Sequence, residues 1–119
     1  MYPAVNRTAI LIKPKKPFID WAKYVNDNEK ISDRAVEKEF DKYINTYLLK
    51  EIGDDEELEK LVREVFQAIF DNELSGWSQD ESEWPQKRDY KTFEEWFEIF
   101  ESEMVYDTDT SILERDYEP

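Results

Sequence analysis

The sequence predicts an α+β fold: a small sheet of about three strands, packed by amphipathic helices in a single domain. Three observations carry that expectation. Thr8 to Ile12 is an unbroken apolar run rich in β-branched residues, as in a buried strand. Leu58, Leu61, Val62, Val65, Phe66, Ile69 and Phe70 recur at spacings of three and four, which places them on one helix face. Four tryptophans, seven tyrosines and seven phenylalanines among 119 residues supply the apolar area that offsets chain entropy in a core of this size.

Because Thr8 to Ile12 shows no polar alternation, it is expected to be a central strand covered on both faces. Pro14 and Pro17 end it, and Pro17 suits the first position of a helix whose face is Phe18, Trp21, Ala22 and Val25. Ser32 or Asp33 is a candidate cap for a short helix through Glu39. Tyr43 to Lys50, rich in tyrosine, isoleucine and threonine, predicts a second strand; a helix from Asp33 to Leu49 is the competing reading.

Asp54 with Glu57 forms a capping box that opens the long helix. Gly76 is expected to close that helix in the left-handed conformation that glycine adopts without a Cβ clash. From Trp77 to Tyr90 no period survives, so this is a connection carrying two indoles. Thr92 with Glu95 reads as a second capping box, with a helix from Phe93 whose stripe is Phe93, Trp96, Phe97, Phe100 and Met104. Trp77 and Trp84 are expected to pack near that stripe. Met104 to Tyr106 reads as a final edge strand. The domain is expected to span residues 1–108, with an acidic, flexible tail at 109–119.

Sixteen basic against thirty acidic residues give a formal charge of -14, which repels nucleic acid and anionic lipid. The charge is uneven: residues 1–25 hold five basic residues against Asp20, a net +4, which leaves -18 for the rest. No apolar run approaches the roughly 20 residues that cross a bilayer, so a cytoplasmic protein is expected. With no histidine and no cysteine, imidazole relays, thiol nucleophiles, disulfides and the usual zinc sites cannot be built. Two glycines, Gly53 and Gly76, are too few for a P-loop or a dinucleotide fingerprint.

What remains is a set of candidate surfaces. Lys13, Lys15 and Lys16 gather where a strand gives way to a helix, suited either to an anion or to a solvated turn. Trp77, Trp84 and Trp96 are core anchors or an exposed patch flanked by Lys87 and Arg88. Asp80, Glu81 and Glu83 are a solvated acidic loop or oxygen ligands for a hard cation, though their spacing matches no EF-hand.

Two strings are similar to a known group. NRTAILIKPKKPFIDW at residues 6–21 and WSQDESEWPQKRDYKTFEEWF at residues 77–97 together resemble small acidic bacterial proteins of uncharacterised function. In that group a strand ending in a Lys-Pro-Lys turn recurs with a Trp-Pro segment before an aromatic helix. The resemblance implies a bacterial cytosolic protein with no activity to carry over, and it brings the Lys13 to Lys15 turn and the Trp84 to Arg88 segment forward together; with Trp77 of the aromatic patch, the candidate ligand or partner surface is Lys13, Lys15, Trp77, Trp84 and Arg88.

The reading that follows is a non-enzymatic, acidic protein-interaction or regulatory module with no catalytic residues, no cofactor and no metal. Its expected partner is another protein, not nucleic acid or a membrane, and a homodimer stays open. Mimicry of nucleic acid on a basic partner is a special case. The alternative is a ligand-binding protein or a metal-assisted enzyme using carboxylates with lysine and arginine.

Overall fold

The computed structural model describes residues 1–26, 34, 38 and 40–116. β1 (Arg7–Pro14) lies between β2 (Asn45–Lys50) and β3 (Phe97–Ser102) in a three-stranded antiparallel sheet. Accompanying it among the described residues are the helices α1 (Lys16–Val25), α2 (Asp55–Ser75) and α3 (Tyr90–Trp96), with a 3-10 turn at Glu81–Glu83. The α+β class, the sheet of three strands and the central place of the first strand are as the sequence predicts. Among the described residues no helix is long and apolar enough to cross a membrane.

The register sets Ile10 opposite Tyr47 and Glu101, and Ile12 opposite Asn45 and Ile99. Side chains alternate across a strand, so Thr8, Ile10, Ile12 and Pro14 share one face, and all four are buried. Full cover holds for that face only. On the other, Ala9 is buried but Leu11 is only half-buried between Thr46 and Phe100, its cross-strand neighbours.

Pro17 lies in the first turn of α1, one position later than expected, and Phe18, Ile19 and Ala22 are the residues that helix buries. Phe18 is the hub of the aromatic core, with ring centroids 5.0 Å from Phe97, 5.4 Å from Trp21, 5.8 Å from Phe40 and 6.0 Å from Trp96. Asp54 caps α2 as predicted, its carboxylate accepting the Glu57 N–H at 2.9 Å. The Glu57 carboxylate reaches back one residue further than a standard box, to the Gly53 N–H at 2.7 Å. The predicted cap at Ser32 or Asp33, and most of the short helix through Glu39, lie outside the described residues.

The C-terminal third departs from the expectation. Gly76 is right-handed, at φ -66° and ψ -21°, because the helix does not reverse there. The Leu74 carbonyl instead accepts the N–H groups of both Trp77 and Ser78 at 3.0 Å, so the chain leaves by continuing its right-handed turn. The next helix starts at Tyr90, not Phe93, and its cap is Asp89, whose Oδ1 accepts the Thr92 N–H at 2.8 Å and the Thr92 hydroxyl at 2.6 Å. Thr92 therefore donates to a cap instead of being one.

That helix also ends early. From Phe97 the chain is extended, and Phe97 to Ser102 forms the third strand against β1. The segment satisfies two periods at once, since Phe97 and Ile99 also alternate with Glu98 and Phe100. The free edge of β1 decides between them: a strand here pairs six residues with β1. Phe100 and Met104 are consequently outside the core, at 44% and 57% exposed. Met104 to Tyr106 is not the third strand; its pairing is a single antiparallel bridge between Ala4 and Tyr106.

Candidate functional site: an aromatic groove over a buried carboxylate

The helical spacing that buries Val62, Ile69 and Phe70 continues to Glu73 and Leu74, so α2 carries a carboxylate into the core face. Glu73 is only 5% exposed. A buried carboxylate needs donors, and β2 provides two from alternate positions on its inward face. The Tyr47 hydroxyl donates to Glu73 Oε2 at 2.5 Å and the Asn45 amide to the same oxygen at 2.7 Å. Asn72 in turn donates to the Tyr47 oxygen at 2.9 Å.

Burial raises the Glu73 carboxyl above its ordinary value, against the lowering effect of the Tyr47 and Asn45 hydrogen bonds. Burial likewise pushes the Tyr47 phenol up; the Asn72 bond opposes this and the neighbouring Glu73 adds to it. Tyr47 therefore stays a neutral donor, and Glu73 is the group whose charge the site controls.

Glu73 lines a groove of about 500 Å³ whose other polar groups are Asn45 and Asn72 and whose walls are Phe40, Tyr43 and Trp77. Trp77 stacks on Phe40 at 4.5 Å between centroids and meets Tyr43 edge-on at 6.4 Å. Pro14 and Phe40 also line a second groove of about 310 Å³ that holds Lys13, Lys15, Lys16, Asp41 and Glu98. The two grooves thus meet at Pro14 and Phe40. A third, of about 400 Å³, lies among Lys50, Glu57, Lys60 and Glu64, but no buried polar group faces it.

Of the residues singled out from the sequence, Lys13, Lys15 and Trp77 fall along the joined grooves. Lys15 also has a structural role: its ammonium donates to the Glu94 carbonyl at 2.8 Å and its backbone N–H to that of Trp96, which ties the strand-to-helix turn to the end of α3. Trp84 lines neither groove. It belongs to a shallow concavity with Asp80 and Glu81, and its indole N–H donates to the Ser78 carbonyl at 2.8 Å.

Arg88 accompanies Trp84, with its guanidinium 5.5 Å from the ring centroid, Nη1 donating to the Pro85 carbonyl, and Nε 3.4 Å from Asp71. Trp77 packs against Phe40 and Tyr43 and makes no ring contact with the Phe93 and Trp96 stripe expected to hold it. In the acidic loop, Asp80 caps the 3-10 turn by accepting the Ser82 N–H and hydroxyl, which lowers its carboxyl, and Glu83 accepts the Ser78 hydroxyl. A separate cluster of Asp55, Glu101 and Glu103 has its carboxylates within 4.8 Å of one another and exposed.

Sequence reasoning passed over Glu73, Asn45 and Tyr47. One signal was present: a glutamate at the next inward position of an otherwise apolar helix face, where a charge needs a partner. Comparison with family models, with curated proteins and with solved structures finds no match for the chain.

Proposed function

We propose that the protein is a non-enzymatic binding module and that the groove between α2, β2 and Phe40 is its partner surface. The observation that supports this reading most is the coincidence of three aromatic walls with a buried, hydrogen-bonded carboxylate in one open groove. Large rigid rings around a few fixed polar groups are the composition of interface hot spots and ligand clefts alike. The partner is another protein, and the resemblance to small bacterial proteins directs the search to a bacterial cytosol.

The test is affinity capture from a native bacterial lysate on immobilised wild type and on Trp77→Ala, both eluted by a salt gradient. A stoichiometric protein held by wild type and released early by the variant supports the groove as the surface. Equal retention on both places the surface elsewhere, and two empty columns overturn the protein-interaction reading.

A further inference from the structure

Glu73 brings an ionisable carboxyl into the core, and among the described residues no lysine or arginine pairs with it when it is charged. Both of its hydrogen bonds converge on Oε2, and Oε1 accepts none from the described residues although Glu73 lines the groove. The countercharge is therefore missing from this side of the site. Trp77, Phe40 and Tyr43 line the same groove as the carboxylate, and aromatic ring faces left open to a groove attract cations. The whole molecule, at -14, steers cations toward its surface.

We infer that the groove receives a basic side chain of the partner protein, an arginine before a lysine, with its cation at Glu73 Oε1 and its stem against Trp77. Arginine is favoured because a planar guanidinium both stacks on an indole and donates in plane to a carboxylate, whereas an ammonium is a strongly hydrated point charge. Asn45 and Asn72, which hold Glu73 and Tyr47, fix the acceptor in place without neutralising it. The inference rests on the groove being the partner surface.

N-acetyl-arginine amide is the probe, with N-acetyl-lysine amide, the uncharged isostere N-acetyl-citrulline amide and a free linear polyamine as comparisons. Binding is read from the Asn45 and Asn72 side-chain amide shifts and the Trp77 indole signal in two-dimensional NMR. The expected result is saturable binding of the arginine amide with a Kd on the order of millimolar, as suits a single side chain. The citrulline amide on wild type, and the arginine amide on a folded Glu73→Gln, are both expected to bind at least about tenfold more weakly.

Equal binding of citrulline, or undiminished binding to Glu73→Gln, overturns recognition by charge. A polyamine that binds more tightly than the arginine amide overturns the partner side chain as the source of the cation. No shift with any probe overturns the inference outright. In that case, capture that still depends on Trp77 leaves the groove a partner surface of other chemistry, and capture that fails as well removes both readings.

Discussion

Replacing Glu73 in two ways separates its shape from its charge. Glu73→Ala removes the acceptor of two hydrogen bonds, 2.5 Å from Tyr47 and 2.7 Å from Asn45. A buried donor left unpaired costs about 1–3 kcal/mol, and Asn45, on an exposed part of β2, reaches water more easily than Tyr47. The expected loss is about 2–4 kcal/mol, roughly 10 °C in Tm for a domain of this length. Glu73→Gln retains an acceptor oxygen and deletes the charge.

Burial raises the folded Glu73 carboxyl above 4.5, so between that value and the folded one the native protein keeps a proton that the unfolded chain has released. This contribution is complete below the unfolded value and is lost as pH rises through the folded one. Wild type should therefore match Glu73→Gln near pH 4.5 and fall below it toward neutrality. Tyr47, itself pushed up, does not titrate in that range, so the difference belongs to Glu73.

Urea unfolding followed by tryptophan fluorescence and circular dichroism, at constant ionic strength across that pH range, measures the difference. Subtracting the glutamine curve cancels the self-repulsion common to both highly acidic chains. Parallel pH curves, or a glutamine variant as unstable as the alanine one, would refute the reasoning.

Two further predictions test the corrected C-terminal third. Phe97→Ala, at a position 2% exposed, should cost about 3–5 kcal/mol, whereas Phe100→Ala on the outer sheet face should cost about 1 kcal/mol or less. Equal losses in urea unfolding would restore a helical stripe through both. Gly76→Ala should be neutral or stabilise by up to about 1 kcal/mol, because φ is already right-handed and the added Cβ meets only the Glu73 carbonyl at 3.5 Å. A clear fall in Tm would mean that the glycine is needed for a left-handed turn.

Local chemistry determined much of this fold. The apolar run at Thr8 to Ile12, the proline-led start of α1, the β-rich composition of β2 and the Asp54 cap of α2 each act within a few residues, and each element lies within two residues of where the sequence puts it. Phe97 to Ser102 was open to two periods, and only the far edge of β1, more than eighty residues earlier in the chain, selects the strand. The cap at Asp89 is local by contrast, its carboxylate accepting the Thr92 N–H and hydroxyl three residues on.

The site divides in the same way. Lys13, Lys15 and Trp77 were legible as unusual residues, but their place along joined grooves depends on Pro14 and Phe40, which no local pattern connects. Glu73, Tyr47 and Asn45 come together because a helix and a strand more than twenty residues apart share one core layer. The sequence by itself determined which segments are helices and strands wherever a single period fits. Tertiary structure decided the third strand and the buried carboxylate, because both depend on hydrogen-bond partners that only packing brings within reach.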